Sequence, residues 1–220
     1  MIIKSVSFLG AIGQIGQAQP ETARGLPQVV FSGRSNVGKS SLINRFVGRT
    51  RTPIARISGQ PGKTQEINFF EVKTDREPFV LTDLPGYGYA RAPAALRDRW
   101  RTLIGDYLSK TSEIAGVIQL IDIRHEPSKD DRAAIEMLAE MELPVLFVLT
   151  KSDKLKPSKR DAAAEGFRKE FGIEPEQAIV SSSTTGEGRE ELLEGVSFLL
   201  ETESLREGIE QQGEAADGGH

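Results

Sequence analysis

The sequence predicts an α/β fold: a six-stranded, mostly parallel sheet with one antiparallel strand and with helices on both faces. Three observations predict it. Apolar runs of strand length alternate with longer segments of helical periodicity over 115–202, a pattern typical of βαβ units. Two further strand-like runs within 65–83 are joined by a short polar link, which predicts an antiparallel hairpin. A glycine-rich turn at 33–40 lies between a predicted strand and a predicted helix.

The individual elements follow from the spacing of apolar residues in each segment. Strands are predicted at 2–8, 28–32, 65–73, 78–83, 115–123, 144–150 and 177–182. Helices are predicted at 39–47, 93–110, 128–141, 158–171 and 188–202. The strand at 2–8 is assigned to an N-terminal lead-in, and the other six form the sheet. Residues 48–64 lack periodicity and form a long loop, and loops of that length are usually functional or mobile.

Length and composition exclude several classes of protein. The chain of 220 residues is long enough for one domain that buries its own core. It contains no cysteine, which excludes disulfides, thiolate zinc sites and cysteine nucleophiles. No apolar run approaches the length of a membrane span, and residues 1–5 lack the pattern of an export signal. We therefore expect a soluble, cytoplasmic protein.

Three parts are predicted along the chain: an N-terminal strand and lead-in at 1–26, a globular domain at 27–202 and an acidic, disordered tail at 203–220. The formal net charge of −4 comes mainly from the acidic C-terminal residues, so the domain itself is close to neutral. The charge balance therefore neither requires nor excludes a nucleic-acid partner.

The glycine-rich turn matches the phosphate-loop pattern G-x-x-x-x-G-K-[ST]. Its residues are Gly33, Arg34, Ser35, Asn36, Val37, Gly38, Lys39 and Ser40, followed by Ser41. In this arrangement backbone N–H groups and the start of the helix hold phosphates. The ammonium of Lys39 contacts the outer phosphates, and the hydroxyl of Ser40 binds Mg²⁺. The alternative is an ordinary glycine turn before a helix.

Two more segments are expected at the outer phosphate and the metal. The strand at 78–83 ends in Asp83, Leu84, Pro85 and Gly86. The Asp83 carboxylate is expected to support Mg²⁺, and the N–H of Gly86 to contact the γ-phosphate. The long loop ends in Gln60, Pro61, Gly62, Lys63 and Thr64. The Thr64 hydroxyl is expected to complete the magnesium shell while the γ-phosphate is present. The alternatives are a simple Pro-Gly turn and a plain strand-entry residue.

A third group of residues is expected to select the base. Its members are Thr150, Lys151, Ser152 and Asp153 after one strand, and Ser181, Ser182 and Ser183 after the next. A carboxylate at Asp153 can accept hydrogen bonds from N1–H and the 2-amino group of guanine, whereas adenine leaves it unpaired at a cost of about 1–3 kcal/mol. The stem of Lys151 can lie along the base. The serines can offer a backbone N–H to O6, or they form a capping segment only.

Together these residues resemble a translation-factor-class GTPase, and longer phrases resemble the EngB (YihA/YsxC) family of bacterial ribosome-assembly GTPases. Those phrases are Gly33–Asn44, Pro61–Phe70, Asp83–Ala90 and Asp122–His125, and the resemblance spans about residues 2–202. It implies a single P-loop NTPase G domain that binds GTP and GDP with Mg²⁺ and hydrolyses GTP slowly. It also implies a monomer that assists assembly of the large ribosomal subunit, with Lys39, Thr64 and Gly86 in catalytic roles.

Two positions depart from the common G-domain pattern. Thr150 replaces the usual asparagine of the base motif, so a hydrogen bond that braces the loop is expected to be weaker. Tyr87 stands where many G proteins carry the glutamine that orients the attacking water, so slow intrinsic hydrolysis is expected. Related GTPases without this glutamine use K⁺, held in part by an asparagine at the position of Asn36. Here Asn36 is either such a ligand or a brace within its loop.

Basic residues lie near both predicted switch segments. They are Arg91, Arg97, Arg99 and Arg101 around Trp100, and Arg49, Arg51, Arg56 and Lys63 in the long loop. They can bind RNA phosphates, and the family resemblance favours contact with ribosomal RNA and proteins of the large-subunit precursor. The alternative is a solvated helix whose charges pair with Asp98 and Asp106. His125 has no evident partner and is expected to be structural.

Three other functions are compatible with parts of the sequence. A GTPase that regulates cell division, such as septation, or a stress response without contacting the ribosome would share the nucleotide motifs, since fold does not fix function. A small ATP-dependent kinase would share the phosphate loop but would lack a guanine preference. A structural ribosome-binding module with an idle site would bind ribosomal particles without turning over GTP.

Overall fold

The computed structural model describes residues 1–55, 66–88 and 94–217, except for the side chains of 94–97, 100 and 205–217. The strands are β1 (Ile3–Ile12), β2 (Gln28–Gly33), β3 (Ile67–Thr74), β4 (Phe79–Asp83), β5 (Ile114–Asp122), β6 (Val145–Thr150) and β7 (Ala178–Val180). The helices are α1 (Lys39–Phe46), α2 (Ala94–Lys110), α3 (Lys129–Glu140), α4 (Pro157–Phe171) and α5 (Arg189–Asp217). Each predicted strand and helix has a counterpart among these elements.

The strands form one sheet in the order β1-β3-β4-β2-β5-β6-β7. β2 pairs in parallel with β4 and β5, and the pairs β5–β6 and β6–β7 are parallel as well. β3 is antiparallel to both of its neighbours, which confirms the predicted hairpin with β4. Parallel strands end at the same edge of a sheet, so the segments that follow β2, β4, β5 and β6 meet there.

The sheet has seven strands, one more than predicted, because β1 pairs with β3. The register places Ile3 opposite Thr74 and Ile12 opposite Ile67, so β1 extends past the predicted end at residue 8. Without β1, the backbone N–H and C=O groups along that edge of β3 would lack sheet partners. The N-terminal segment is therefore part of the sheet rather than a lead-in to it.

Helices cover both faces of the sheet, as predicted. Successive residues of a strand point to opposite faces, and β2 shows this directly. Val29 and Phe31 lie in one buried cluster with residues of α1 and α5. Val30 lies in a second buried cluster with residues of α2 and α3. A third cluster joins α4 to the ends of β5, β6 and β7, with the Phe147 and Phe167 rings 5.4 Å apart. The phosphate-loop helix α1 is thereby anchored on the central strand.

The C-terminal segment differs from the predicted disordered tail, since α5 continues as one helix to Asp217. Residues 203–217 are rich in Glu, Gln and Ala, which have high helix propensity and extend an existing helix readily. An ion pair between Arg76 and Glu201 connects this helix to the β3–β4 turn. Among the described helices, none combines the length and the apolar character needed to cross a membrane.

Candidate nucleotide-binding site

The phosphate loop lies between the end of β2 and the start of α1. Gly33 has no room for a side chain, because a Cβ there would approach Val37 to 2.9 Å and Leu120 to 3.0 Å. Gly38 has a φ of 106°, a left-handed conformation that L side chains rarely adopt. α1 then begins at Lys39, as predicted. The two glycines permit the tight turn that places the N-terminus of α1 beside the loop, where an anion is favoured.

Lys39 and Asp83 form an ion pair within this loop region. Their side chains are 11% and 7% exposed, so the pair is largely shielded from water. Asp83 reaches this place because β4 is parallel to β2, with Phe31 opposite Asp83 in the register. The structure thus brings together the predicted phosphate-binding lysine and the predicted magnesium-supporting carboxylate. A triphosphate that takes the ammonium frees the carboxylate for a metal ion.

The segment after β4 crosses directly over the phosphate loop. The backbone N–H of Ser35 donates a hydrogen bond to the carbonyl of Tyr87 across 2.8 Å. Gly86 lies so close that a Cβ on it would be 3.1 Å from both N and Cα of Ser35. One amide of the loop is therefore engaged by this segment. A phosphate group that binds that amide has to displace the Tyr87 carbonyl, which couples phosphate binding to the position of residues 86–88.

The side chain of Tyr87 points to α3 and β5. Its hydroxyl donates to Asp131 across 2.8 Å and accepts from Nε2 of Gln119 at 2.7 Å. Burial and the neighbouring Asp131 carboxylate raise the pKa of Tyr87 well above its ordinary value. The hydroxyl is therefore a neutral group with both of its bonds made inside the protein. Tyr87 replaces the water-orienting glutamine in sequence, but its hydroxyl holds a structural contact.

The base-selecting residues surround a cavity of about 190 Å³ next to the phosphate loop. It is lined by Gly38, Ser41, Leu42, Thr150, Lys151, Asp153, Lys154, Ser183 and Thr184. The loops after β6 and β7 supply most of these residues, and the first turn of α1 closes the opposite side. The structure thus joins the two halves of the predicted nucleotide site, one for phosphates and one for a base.

Asp153 is held as an ionised acceptor at the edge of this cavity. The Ser182 hydroxyl donates a hydrogen bond to Oδ1 of Asp153 across 2.7 Å, and Lys154 lies 3.1 Å from Oδ2. The hydrogen bond from Ser182 holds the pKa of the Asp153 carboxyl below its ordinary value despite some burial. An ionised carboxylate of this kind suits the adjacent N1–H and 2-amino donors of guanine.

The three predicted serines separate into different roles. The N–H of Ser181 donates to the Leu149 carbonyl at 2.8 Å, and that of Ser182 donates to the Glu187 carbonyl at 3.0 Å. Within the described part of the chain, the N–H of Ser183 makes no such bond, and Ser183 also lines the cavity. Of the three backbone amides, that of Ser183 is therefore the one available to a base oxygen.

Lys151 bridges the base loop and the phosphate loop. Its ammonium donates to the carbonyl of Asn36 across 2.6 Å and to Asp122 across 2.9 Å. Asp122 also accepts two bonds from the guanidinium of Arg124, at 2.9 and 2.7 Å. Partial burial opposes ionisation of Asp122, but the bonds from Arg124 and Lys151 outweigh it and lower its pKa to about 2. The stem of Lys151 is thereby fixed along one wall of the cavity.

Thr150 and Ser152 brace the site from within. The Thr150 hydroxyl lies 2.7 Å from the carbonyl of Val37 and 3.1 Å from that of Ile121, so it links β6 to the phosphate loop. A hydroxyl carries one proton where an asparagine amide carries two, so this brace offers one donor. Ser152 is fully buried and donates to Glu187 across 2.5 Å, so its hydroxyl stabilises the loop rather than lining the cavity.

The remaining predicted residues have mixed outcomes. Leu84 is 1% exposed and belongs to the core on the α2–α3 side, so its side chain does not face the site. Ser40 lies in the first turn of α1, beside Lys39. Gln60, Pro61, Gly62, Lys63 and Thr64 lie outside the described residues, as do Arg56 and Arg91. Arg101 forms an ion pair with Asp98 at 3.7 Å, and both side chains are highly exposed.

Several residues with no predicted role in the site support it. They are Gln119 and Asp131 around Tyr87, Asp122 and Arg124 beside Lys151, Glu187 behind Ser152, and Arg45. Arg45 donates to the carbonyls of Ser183 and Thr184, at 2.8 and 3.0 Å, and so holds the loop after β7. A sequence signal existed only for Asp122 and Arg124, which belong to the phrase Asp122–His125.

Oxygen donors suited to Mg²⁺ are the hydroxyl of Ser40 and the carboxylate of Asp83. Among the described residues, no three His, Asp or Glu side chains lie close enough together to hold a metal ion. This donor set fits a magnesium ion that is bound by one hydroxyl, one carboxylate and substrate phosphates, which is the way such ions are usually held. It does not fit an all-protein metal cage.

Sequence comparison relates the chain to known GTP-binding proteins. A family model described as "50S ribosome-binding GTPase" matches residues 28–151. The protein "Probable GTP-binding protein EngB" of Gemmatimonas aurantiaca is 42% identical over 200 residues, which are 91% of this chain and 95% of that protein. Its namesake from Desulfotalea psychrophila is 41% identical over 193 residues, which are 88% of this chain and 96% of that protein.

Structure comparison gives the same fold. The crystal structure of a probable GTP-binding protein EngB matches with a TM-score of 0.63 at 23% identity, over 80% of this chain and 99% of that one. Era in complex with MgGDPNP and nucleotides 1506–1542 of 16S ribosomal RNA matches with a TM-score of 0.65 at 22% identity, over 77% and 55% of the two chains. At these identities the likeness concerns the fold.

Proposed function

Because the chain belongs to the EngB family of GTP-binding proteins and is a GTPase of the P-loop class, we propose that it acts as a nucleotide-controlled switch in assembly of the large ribosomal subunit. One observation supports the role as a switch: the backbone N–H of Ser35 in the phosphate loop donates a hydrogen bond to the Tyr87 carbonyl. Any ligand that competes for this amide moves the segment that follows β4. The description of the matching family model supports the large subunit as the partner.

GTP and GDP would lie across the phosphate loop and the cavity beside it. Lys39, the loop amides and the start of α1 would hold the phosphates. Asp153 would accept from N1–H and the 2-amino group of guanine, and the amide of Ser183 would donate to O6. The stem of Lys151 would lie against the base, since its ammonium is fixed between Asn36 and Asp122.

Mg²⁺ would be held by Ser40 and supported by Asp83, with Thr64 added while the γ-phosphate is bound. When bound, the ion would neutralise charge that develops on the transferred phosphoryl group. Lys39 has to leave Asp83 in order to contact phosphate, and this exchange frees the carboxylate at the same time. Phosphate and metal would therefore replace one internal contact together, the phosphate at Lys39 and the metal at Asp83.

Hydrolysis would proceed by in-line attack of water on the γ-phosphate, assisted mainly by positioning and charge. Lys39 and the N–H of Gly86 would stabilise the charge on the γ-phosphate oxygens. The Tyr87 hydroxyl is occupied by Asp131 and Gln119, which supports a slow intrinsic rate. Asn36 has an exposed side chain that bonds to none of the described residues, which supports its proposed role as a K⁺ ligand. Unchanged turnover after replacing K⁺ with Na⁺ would argue against that role.

The proposed partner is a precursor of the large ribosomal subunit. The protein would bind it as a monomer in the cytoplasm. The deciding experiment loads the protein with GDP or with a non-hydrolysable GTP analogue and sediments it with immature large subunits. We expect the triphosphate form to pellet with the particles and the diphosphate form to remain in solution. Lys39→Ala, which loses the phosphate contact, should remain in solution with either nucleotide. Equal pelleting of both loaded forms would contradict the proposed switch.

A further inference from the structure

A second cavity lies on the side of the sheet that α1 and α5 cover. It has a volume of about 460 Å³ and lies between the start of β1, the turn after α1 and the start of α5. Its charged lining residues are Lys4, Arg49, Arg51 and Arg189. The described lining contains neither an acidic residue nor an aromatic ring, and it shares no residue with the base cavity. This cationic cavity is therefore separate from the nucleotide site.

Arg189 forms a fixed wall of the cationic cavity. Its guanidinium donates to the carbonyls of Arg45 and Phe46, at 2.9 and 3.1 Å, and pairs with Glu190 at 2.7 Å. Two carbonyls at the end of α1 thus have a partner, and the start of α5 is tied to α1. Because most of its N–H groups already have partners, Arg189 is not free to bind a ligand. It forms part of the cavity wall, and its positive charge is partly offset by Glu190.

The other three cations have no counter-charge among the residues that the structure describes. Within the described part of the chain, the side chains of Lys4, Arg49 and Arg51 make neither an ion pair nor a hydrogen bond, and all three residues are exposed. Three unpaired cations around one concavity produce a positive potential there, since like charges this close add their fields. An anionic ligand would relieve their mutual repulsion.

The turn that carries Arg49 and Arg51 is held in place by hydrogen bonds to Asn44. Asn44 is 2% exposed, and its Oδ1 accepts from the amides of Ile54 and Ala55 at 2.8 and 3.1 Å. Its Nδ2 donates to the Ala55 carbonyl at 2.9 Å, and its backbone carbonyl accepts from the N–H of Arg49 at 2.8 Å. Asn44 thereby holds both ends of the turn, one through its backbone carbonyl and the other through its side chain. A turn fixed in advance costs less entropy when it binds a ligand.

We infer that the cationic cavity binds the phosphate backbone of RNA, an inference that rests on the proposed ribosomal function and names the contact it would use. Arginine guanidinium groups pair with phosphate oxygens in a two-pronged geometry. The described lining offers no aromatic ring on which a base could stack. The contact would therefore recognise the phosphate backbone and not the base sequence.

The test compares two double variants that lose the same charge. Arg49→Gln with Arg51→Gln removes two cations of the cavity, whereas Lys159→Gln with Lys169→Gln removes two exposed cations of α4. Filter binding to protein-free large-subunit ribosomal RNA is measured over a series of KCl concentrations. The cavity variant should bind about 10-fold more weakly at low salt, with a slope of log Kd against log salt that is smaller by about 1.5. The α4 variant should keep nearly the wild-type slope.

Equal slopes and affinities for the two double variants would overturn the inference. So would a cavity variant that no longer pellets with immature subunits but binds the free RNA normally, because that result assigns the cavity to a ribosomal protein. GTP binding serves as the folding control and should be unchanged in both variants. If the wild-type protein binds RNA through the cavity but pellets equally with GTP and GDP, the proposed switch fails while the cavity assignment stands.

Discussion

The hydroxyl of Tyr87 donates a hydrogen bond across 2.8 Å to Asp131, the N3 residue of the α3 capping box. The other carboxylate oxygen of Asp131 accepts from the backbone N–H and the hydroxyl of Ser128, at 2.8 and 2.6 Å. The segment after β4 is thus tied on one side to the start of α3 and on the other side, through Ser35, to the phosphate loop. Tyr87 therefore links the two: its carbonyl contacts the phosphate loop, and its hydroxyl contacts α3.

The substitution Tyr87→Phe should therefore lower stability more than it lowers activity. It removes the partner of a buried Asp131 oxygen and of Gln119, and leaving buried polar groups unpaired costs about 1–3 kcal/mol. Urea unfolding should show a loss of that size, whereas single-turnover GTP hydrolysis should stay close to the wild-type rate. Hydrogen exchange should increase at residues 84–88, which lose their tie to α3.

Tyr107→Phe provides a matched control for that variant. The Tyr107 hydroxyl is also buried and lies 2.7 Å from Gln28 and 3.1 Å from Thr82, and its hydrogen bonds reach neither α3 nor the segment 84–88. It should lose a similar amount of stability without faster exchange at 84–88. If Tyr87→Phe abolished turnover while its unfolding free energy stayed at the wild-type value, the hydroxyl would have to act in the chemical step.

The parts of the site that could be predicted are those that local sequence determines. The loop from Gly33 to Lys39 is recognisable because the glycines, the preceding apolar strand and the following helix are all neighbours in the chain. Asp83 and Asp153 could be placed near it because Asp83 ends one strand and Asp153 follows another, and parallel strands end at one edge of a sheet. The fold class follows from the same alternation of strands and helices.

The parts that could not be predicted depend on contacts between distant segments. Gln119 lies in an uninterrupted buried strand and looks like any polar residue of a core. Asp131 is 44 positions from Tyr87, and its capping role gives no sign of a second partner. The pairing of β1 with β3 depends on which edge of the sheet lacks a neighbouring strand, and the residues of β1 alone do not indicate that edge. The helical end of α5 was missed because composition alone suggested disorder where helix propensity was sufficient.

The substitution Asp153→Asn should remove the preference for guanine. The carboxylate is proposed to accept two charge-assisted bonds from guanine, and an amide repels those donors with its own NH₂ group. Since bonds to charged groups contribute about 1.5–3 kcal/mol each, GTP should bind at least about 100-fold more weakly. Fluorescence titration with GTP, xanthosine triphosphate and ATP measures this change. The affinity for xanthosine triphosphate should rise, because the 2-oxo group of xanthine can accept a hydrogen bond from the side-chain amide of the substituted residue.

Asp161→Asn is the control for the base-specific variant, since Asp161 lies exposed in α4 and the charge change is the same. Its affinity for all three nucleotides should match that of the wild-type protein. A loss for Asp153→Asn that is equal for GTP and ATP would show that the substitution damages the loop as a whole, and would remove the support for Asp153 as the residue that reads the base.

Removal of magnesium should weaken GTP binding in the wild-type protein, because the bound phosphates then lose the cation that offsets their negative charge. In Asp83→Asn this difference should shrink, since the metal loses the carboxylate that supports it. The measurement is a GTP titration with and without EDTA for both proteins. If EDTA had the same effect on both, Asp83 would serve only as the ion-pair partner of Lys39.

The carboxylate of Asp122 should make folding stability depend on pH in the acid range. Its folded pKa of about 2 lies below the ordinary value of about 3.9 for an unfolded chain. A lowered folded pKa stabilises the protein above the unfolded value, and this stabilisation is lost as the pH falls from about 5, through the folded pKa, toward about 1. The bonds from Lys151 and Arg124 should therefore contribute about 2 kcal/mol at neutral pH, only a small part of that at pH 2, and nothing at about pH 1.

The variant Asp122→Asn isolates this contribution from that of other carboxylates. Its unfolding free energy should be lower than the wild-type value at pH 7, and the difference should shrink steadily below about pH 5, because Asp122 becomes protonated in the wild-type protein as the pH falls through its folded pKa. Asp161→Asn should show no such convergence. Affinity for GTP should fall with stability at pH 7, because Lys151 loses one of the two acceptors that hold its ammonium. A constant difference from pH 7 to pH 2 would mean that Asp122 acts through packing rather than through its charge.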